Sequence, residues 1–432
     1  MNRRILNLAI PNIISNLSVP LLGAVDTALV GHLEEVYYLG ALAVGGMIFN
    51  FLFWGFGFLR MGTTGLTAQA YGGGNRTEMI MILLRVQTVA LGLGIVILLL
   101  QQPTARLSFW IIKSSAEVEQ YTLEYFYIRI YTAPAVLALY GINGWFLGMQ
   151  NAKYPMFVTI FLNLLNIGLN VFFIYGLGMH VDGVAWGTLI ATYLAVLFAF
   201  ILFLRKYKSY GSDYLKSEFL NLDELGKFFT VNRDIFIRTL CLIFAFSFFT
   251  AKSAAQGDLI LAANSILLQL WMIASYGIDG FAYSAESLVG RFKGSQDNRQ
   301  LKRAVGYTML WGMGLGIAGS VVYGIFDTLI LTIFTDKQNV IELAQSVMIW
   351  TVMAPAIASI CYIWDGVFIG ATATVPMRNT MLAATILFFL PMYYIGTYYF
   401  GVHGLWIAMI LFMLVRGILL TFYAPRYIFD VG

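Results

Sequence analysis

The sequence predicts an all-α polytopic membrane protein with twelve transmembrane helices in two six-helix lobes, and three observations support this. Hydrophobic residues make up 59% of the 432 and charged residues only 11%, whereas a soluble domain carries roughly 25% charged residues. The apolar stretches are long enough to cross a bilayer, which takes about 20 residues in a helix. Finally, motifs of the first half recur in the second half at one offset of 221 positions.

Six apolar stretches lie in each half of the chain. In the first half the predicted spans are 5–30, 39–70, 79–100, 121–147, 156–177 and 184–204. In the second half they are 235–255, 259–289, 305–329, 341–369, 377–399 and 405–423. The stretches are continuously apolar, which favours helices over the alternating strands of a membrane barrel. The first stretch is too long for the core of a signal peptide, so we expect it to remain in the protein.

The repeat divides the chain into two lobes. Ala-Pro-Ala at 133–135 recurs at 354–356, Pro-Met at 155–156 recurs at 376–377, and the Gly-initiated segment at 183–186 recurs at 404–407. An even number of spans per half makes both halves enter the membrane in the same direction, so their pseudo-twofold axis runs along the membrane normal. We predict an N-lobe at 1–204, a cytoplasmic linker at 205–233 and a C-lobe at 234–432.

Lysine and arginine predict the orientation. Most of them fall in alternate loops, including the clusters at 205–233 and 291–303, while the opposite loops hold Arg106, Lys113 and Lys337 with Lys252. The positive-inside rule places both termini in the cytoplasm. This bias accounts for the net charge of +4, so we expect no nucleic-acid partner. Membrane lipid is an expected partner of the spans.

Metal and redox chemistry are not indicated. Cys241 and Cys361 lie in different predicted spans, and His32, His180 and His403 lie at loop edges. Neither a metal-binding cluster nor a catalytic His-containing constellation follows from this spacing. We therefore expect neither an enzyme nor a bound cofactor.

Acidic residues inside the spans are the candidates for function. Asp26 lies in the first span, where a charged Asp at the bilayer centre costs roughly 2.5–3.5 kcal/mol and so usually faces the protein interior or water. In the second half, Asp279 and Glu286 are seven residues apart, on one helix face, and Asp365 lies in the tenth span. These three predict a C-lobe cation site. The alternative is that these acids form internal ion pairs with arginines instead of binding a cation. Arg60 is the candidate partner, and Glu286 is the acid for which we favour an ion pair.

Four segments of the chain carry a family resemblance. They are 20–33, 58–72, 279–283 and 365–372, and they resemble the multidrug and toxic compound extrusion (MATE) family, specifically its DinF branch. The resemblance implies an antiporter with two lobes in a V, which exports small organic, cationic or amphipathic compounds in exchange for protons or sodium. It also implies a bacterial cytoplasmic membrane, and we expect a monomer with no cofactor beyond the coupling ion.

The resemblance also implies roles for particular residues. The position of Asp26 is the proton-responsive acid of related members, and polar side chains of helices four to six surround it. In this chain the matching residues are Asn143, Asn166, Asn170 and Thr188. We add Tyr140 and Asn163 as further candidate residues of the polar cavity. Archaeal proton-coupled relatives have Asp at the position of Asn170, so this chain is expected to use a single acid in the N-lobe. Asp279 and Asp365 match a C-lobe cation site like the sodium site of the NorM branch.

Other readings stay open at this point. The asparagines of the fifth span can serve only to bridge helices, each contributing about 0.6 kcal/mol. A lipid or lipid-linked substrate flippase of the same superfamily is the alternative function, because amphipathic lipids and drugs share chemistry. A major-facilitator protein also has two six-helix halves, but its characteristic loop motif is absent after the second span.

Overall fold

The computed structural model describes residues 1–33, 35–213, 219 and 221–429. Within this part, twelve helices are long and apolar enough to cross a membrane. They are α1 Asn2–Gly31, α2 Val36–Gly72, α3 Arg76–Leu99, α4 Ala116–Gly148, α5 Lys153–Gly176, α6 Val181–Gly211, α7 Leu222–Ala255, α8 Asp258–Gly294, α9 Asn298–Ile325, α10 Gln338–Gly370, α11 Thr374–Phe400 and α12 Val402–Phe429. The described residues include no strand, so the predicted all-α fold with twelve spans is confirmed.

Polar side chains cap several helices at their N-termini. The first N–H groups of a helix have no partner within it, and a preceding Asn, Asp or Ser accepts from them. Asn75 accepts from the backbone N–H of Glu78 at 3.0 Å, and Asp297 accepts from that of Gln300 at 3.0 Å. Asn221 caps α7 in the same way. This helix begins at Leu222, inside the expected linker 205–233, of which residues 214–218 and 220 lie outside the described residues.

Two short helices were not predicted. Gln101–Ile111 lies between α3 and α4, and Asp327–Phe334 lies between α9 and α10, so the two halves have them at corresponding places. The span predicted at 305–329 ran into the second of them because both segments are apolar. The chain turns at Phe326, and α9 ends at Ile325.

Distorted helix turns precede prolines in both lobes. A proline lacks the N–H that would bond to the carbonyl four residues before it. A 3₁₀ turn at Ile130–Thr132 precedes Pro134 in α4, and a wide π turn at Ala384–Phe389 precedes Pro391 in α11. Helix α1 contains both Pro11 and Pro20. These prolines make α1 and α4 helices whose curvature can change at a defined position.

Four tight turns repeat the same backbone geometry after α2, α4, α8 and α10. Each has one residue in the left-handed region, namely Gly74, Gln150, Gln296 and Thr372, with φ of 70°, 60°, 55° and 52°. In each, the next residue donates its N–H to a carbonyl five positions earlier, at 2.9–3.0 Å, as in a Schellman motif. The duplication read from the sequence is thus present in the backbone. We call the end of the bundle that carries Met1 and these four turns the basic side.

The two lobes meet at the basic side through glycines. A Cβ added to Gly72 would lie 1.9 Å from the carbonyl oxygen of Arg291, and one added to Gly294 would lie 2.0 Å from that of Gln69. A Cβ added to Gly65 would lie 2.3 Å from the carbonyl oxygen of Ile369. The helices α2 of the N-lobe and α8 of the C-lobe therefore pack backbone against backbone, which only glycine permits.

Side-chain hydrogen bonds reinforce this junction. Gln150 Nε2 donates to the carbonyl and hydroxyl oxygens of Ser287, at 2.8 and 2.6 Å. Gln69 Nε2 donates to the carbonyl of Gly370 and to the hydroxyl of Thr372, both at 3.0 Å. Gln150 and Thr372 are left-handed residues of the repeated turns, so the strained turns place the side chains that join the lobes.

Contacts between the lobes end about halfway across the bundle. Helix α1 packs on Gly280 of α8 through Ala9 and Ile13, and Asn16 donates to the carbonyl of Tyr276 at 3.2 Å. In the described part, this is the last hydrogen bond from α1 to the C-lobe along the chain. The following half of α1, which includes Asp26, has an exposed face. The lobes therefore close at the basic side and leave a cleft toward the opposite side.

The glycine junction generates a prediction. Replacing Gly72 with alanine places a Cβ against the Arg291 carbonyl, and such overpacking costs about 1–3 kcal/mol. Because this cost falls only on the arrangement that is closed at the basic side, the variant is expected to populate an arrangement in which that side is open.

Spin labels report the change. Labels on Lys153→Cys in the N-lobe and Arg299→Cys in the C-lobe, both exposed, are measured by pulsed electron resonance after Cys241 and Cys361 are replaced with alanine. A longer distance is expected for Gly72→Ala. The control Gly92→Ala, at a glycine with open space around it, leaves the distance unchanged. Equal distances in both variants contradict the assignment of the junction to this contact.

Candidate functional site

The first candidate, Asp26, anchors a chain of side-chain hydrogen bonds in the N-lobe. Asp26 is half-buried on α1, and its Oδ1 accepts from Nδ2 of Asn170 on α5 at 2.8 Å. The same Nδ2 donates to Oδ1 of Asn166 at 2.8 Å, and Asn166 Nδ2 donates to the hydroxyl of Thr188 on α6 at 2.9 Å. The Thr188 hydroxyl donates to the carbonyl of Val184. One carboxylate is thus connected through two amides and a hydroxyl to the backbone of α6.

Helix geometry explains this chain. Asn166 and Asn170 are four residues apart, so their side chains lie one above the other on one face of α5. That face turns inward, and both asparagines are buried, with 1% and 0% of their surface exposed. A buried amide needs partners for its donors and acceptor. The carboxylate supplies one of them from a neighbouring helix, and this fixes α1 against α5 at the depth of Asp26.

Gly187, which sequence reasoning missed, makes room for Asn170. A Cβ at position 187 would lie 1.9 Å from Oδ1 of Asn170. That oxygen is buried and has no hydrogen-bond partner among the described residues. Gly187 directly precedes Thr188 on α6. A glycine next to a polar site residue was the available signal in the sequence.

Three further predicted residues lie apart from this chain. Asn163 Nδ2 donates to the hydroxyl and carbonyl of Ser18, at 3.0 and 3.2 Å, so it bridges α5 to α1 two residues before Pro20. Tyr140 and Asn143 of α4 are half-buried and make no hydrogen bond with Asp26 in the described structure. Oδ1 of Asn143 is buried without a partner. In the described structure, the hydrogen-bonded chain at Asp26 joins α1, α5 and α6, and no side chain of α4 belongs to it.

Arg129 is a further arginine within the spans of the N-lobe. It lies on α4, where it donates to the hydroxyl of Tyr125 and sits 4.9 Å from the ring centroid of Phe49. An aromatic face attracts a guanidinium without neutralising it. Its positive charge is therefore retained within the N-lobe.

In the C-lobe, Asp365 is held by two arginines. Oδ2 of Asp365 on α10 accepts from Nη2 of Arg416 on α12 at 2.5 Å and from Nη2 of Arg238 on α7. All three side chains are buried, with 5%, 1% and 6% of their surface exposed. Removing one partner of such a buried pair typically costs about 3–5 kcal/mol, because the other charge is left uncompensated.

Arg238 was overlooked in the sequence although it lies inside the seventh predicted span, 235–255. Arg60 was the arginine considered as a carboxylate partner. The available signal was simple, since any arginine within an apolar span needs an internal partner. Three helices, α7, α10 and α12, are joined by this single carboxylate.

The three C-lobe acids do not form one cluster. Glu286 lies 3.5 Å from Arg60 of α2, whose guanidinium is 4.0 Å above the ring of Tyr283. Asp279 is half-buried and has no hydrogen bond or ion pair among the described residues. No group of three or more His, Cys, Asp or Glu side chains in the described part of the chain is arranged to hold a metal ion. Two of the three acids that we expected to form a cation site are instead paired with arginines. The Arg60–Glu286 pair joins the two lobes.

A family model described as MatE matches the chain twice, over residues 11–172 and 235–395. The two matches fall in the two halves of the duplication. DNA damage-inducible protein F of Escherichia coli (strain K12) is 38% identical over 418 residues, which cover 96% of this chain and 90% of that protein. The probable multidrug resistance protein NorM of Thermotoga maritima is 22% identical and covers 97% of this chain and 91% of that protein.

Solved structures resemble the whole chain. An outward-facing multidrug resistance MATE family transporter matches with a TM-score of 0.87 at 20% identity, covering 98% of this chain and 95% of that chain. A MATE structure in a bent conformation matches with a TM-score of 0.88 at 20% identity, covering 99% and 95%. At this identity the likeness shows the fold, and it confirms the two-lobe arrangement.

The contact between Gly187 and Asn170 generates a prediction about stability. Gly187→Ala is expected to lower the free energy of unfolding by about 1–3 kcal/mol, since the new methyl displaces the Asn170 amide. In an Asn170→Ala background the clash is absent, so the same substitution is expected to be neutral or stabilising. Thermal unfolding of the four proteins of this cycle in detergent measures the coupling.

Gly168→Ala is the matched control, because Gly168 lies between Asn166 and Asn170 and has open space around it. A helical glycine replaced with alanine at an open position gains about 0.5–1 kcal/mol. If Gly187→Ala costs as much with and without the Asn170 side chain, the two residues are not in contact.

Proposed function

The chain belongs to the MATE family, and from this premise we propose that it is a secondary active antiporter that exports organic, cationic or amphipathic compounds in exchange for protons. Members of this family are transporters rather than enzymes, and they need no cofactor. The observation that carries the proposal is the half-buried carboxylate of Asp26, bonded to Asn170 inside a lobe whose neighbouring cleft is open.

The basic side is the cytoplasmic side in this proposal. Positively charged loops remain in the cytoplasm, and both termini lie there with them. The cleft that leads to Asp26 then opens to the outside, so the structure represents the outward-facing state of a protein in a bacterial cytoplasmic membrane. Export ends in this state, where the substrate leaves and the coupling ion enters.

Protonation of Asp26 is the coupling step that we propose. An ionised carboxylate accepts a stronger hydrogen bond from an amide than a neutral carboxyl does, by roughly a factor of two. Proton uptake from outside therefore weakens the bond from Asn170 and loosens α1 from α5. Pro11 and Pro20 give α1 defined positions at which to bend. Movement of α1 into the cleft would then displace the substrate.

Release of the proton follows when the cleft opens to the cytoplasm. The hydrogen bond from Asn170 is stronger to the ionised carboxylate of Asp26, so its re-formation accompanies loss of the proton. Because the position of Asn170 carries no second acid, one proton per cycle is expected in the N-lobe. Sodium coupling at Asp279 or Asp365 is the alternative, and it requires a cation to compete with two guanidiniums at Asp365.

Asp26→Asn tests the coupling. Asparagine keeps the size and can accept from Asn170, but it cannot carry a proton or a negative charge. Proteoliposomes that contain wild-type or variant protein are given a proton gradient or a sodium gradient, and efflux of a fluorescent amphipathic compound is recorded. We expect the variant to lose proton-driven efflux, by about tenfold or more as for loss of a proton-transfer group.

Exchange of labelled for unlabelled substrate without any gradient is the control for folding and binding, and it should persist in the variant. Asp279→Asn serves as the matched acid in the other lobe. Proton-driven efflux that survives in Asp26→Asn and is lost in Asp279→Asn would overturn the assignment. Sodium-driven efflux in the wild type would move coupling to the C-lobe, and flux of a lipid alone would favour the flippase.

A further inference from the structure

The arginine pair of the C-lobe carries more positive charge than its carboxylate neutralises. Arg238 and Arg416 both donate to Oδ2 of Asp365. Two guanidiniums on one carboxylate oxygen leave one positive charge uncompensated within the ion cluster. In a water-poor interior, such a charge is costly unless another acceptor or anion approaches.

The same side chains have unused hydrogen-bonding groups. Oδ1 of Asp365 and Nε of Arg238 are buried and have no hydrogen-bond partner among the described residues. Nη1 of Arg416 reaches only the sulfur of Met413, at 3.1 Å, and a thioether is a weak acceptor. A guanidinium offers five N–H donors in a planar fork that matches an oxyanion. The cluster therefore has donors to spare for a second oxyanion.

Asp279 is the remaining candidate acid of the C-lobe. It lies near enough to Arg238, Arg416 and Asp365 for their charges to interact, but it forms no hydrogen bond with any of them. With Asp279 ionised, the charges of Arg238, Arg416, Asp365 and Asp279 sum to zero. With Asp279 neutral, the same four groups carry one net positive charge. In neither case is there a surplus of negative charge to attract an organic cation.

Aromatic side chains border the cluster. The ring centroid of Phe412 lies 5.2 Å from the guanidinium of Arg416. The Tyr362 hydroxyl lies beside the cluster on α10 and accepts from Trp271 at 3.0 Å. Trp271 packs on Phe246, which in turn meets Trp54 of the N-lobe. Aromatic side chains therefore border the cationic cluster, and Phe412 and Trp271 among them are themselves buried.

We propose that Arg238 and Arg416 bind the carboxylate, sulfate or sulfonate head of an amphipathic organic anion, and that Asp365 is the internal carboxylate that replaces this head after release. This rests on the proposed export function and names a substrate class for it. The structure, open opposite the basic side and with Asp365 on both arginines, is the state after release. Competition by the tethered carboxylate prevents the anion from rebinding.

Equilibrium binding tests the inference without any gradient. The probes are naphthalene-sulfonate and naphthyl-trimethylammonium, which share an aromatic body and differ in charge, and they are measured by equilibrium dialysis against the protein in nanodiscs, with empty nanodiscs subtracted. We expect the wild type to prefer the sulfonate. Arg238→Gln and Arg416→Gln are each expected to weaken sulfonate binding at least about tenfold, as for loss of a hydrogen bond to a charged group.

Two substitutions should act in the opposite direction. Asp365→Asn removes the competing carboxylate, and Asp279→Asn removes a repelling charge without breaking any hydrogen bond in the described structure. Both are expected to tighten sulfonate binding, and the sulfonate should raise the melting temperature of Asp365→Asn more than that of the wild type. Arg85→Gln is the matched control, because Arg85 is a buried arginine that pairs with Glu78 in the other lobe, and it should leave the sulfonate preference unchanged.

Tighter binding of the trimethylammonium probe by the wild type, or sulfonate binding that Asp279→Asn and Asp365→Asn leave unchanged, would overturn the inference. These outcomes need no arginine variant to fold. They are also independent of coupling, because a transporter whose proton step does not involve Asp26 would still show the same preference between the two probes at equilibrium.

Discussion

The lack of water in the bilayer interior is the constraint on which the rest of this structure depends. A charged side chain in a span must be satisfied within the protein, and three of the four candidate acids meet this requirement in different ways. Asp26 is bonded by an asparagine amide, Glu286 pairs with an arginine of the other lobe, and Asp365 is shared by two arginines. Asp279 has no bonded partner in the described chain. These differences, rather than the presence of acids as such, separate the candidate roles.

The two lobes share the same backbone arrangement through duplication, but they differ in the polar residues at equivalent positions. The four left-handed turns at Gly74, Gln150, Gln296 and Thr372 are nearly identical in backbone. Asn143 precedes Gly144 as Asp365 precedes Gly366 in the second half, so a neutral amide and an acid occupy equivalent places. In the N-lobe the acid that we propose for coupling lies on the first helix instead. The lobes thus share an architecture but divide the chemistry, with a titratable group in one and an arginine cluster in the other.

The junction between the lobes explains how a local change can reach the whole molecule. Close contacts at Gly72 and Gly294 leave no room for a Cβ, so the two lobes are in direct backbone contact there. The Arg60–Glu286 pair lies deeper along the same helices, α2 and α8, and joins the lobes by charge. A change in α1, which packs on α8 through Ala9 and Ile13, therefore acts on the same interface.

Much of the fold followed from the sequence because its signals are local. The twelve spans depend on runs of apolar residues, and the two lobes depend on motifs that recur at one offset. Asn166 and Asn170 were placed on one face because helical spacing requires it. The short helices at Gln101–Ile111 and Asp327–Phe334 were missed, since an apolar segment that turns looks the same in sequence as one that continues.

The candidate residues themselves were also largely visible, because an ionisable residue in an apolar span stands out. What their side chains touch was not, since contacts between helices depend on rotation and depth, which spacing along one helix does not determine. The sequence by itself determined the class of fold, the duplication and the acids available. Only the tertiary structure decided that Asn170 bonds to Asp26 beside Gly187, and that Arg238 and Arg416 converge on Asp365, because those partners are brought together by packing between helices far apart in the chain.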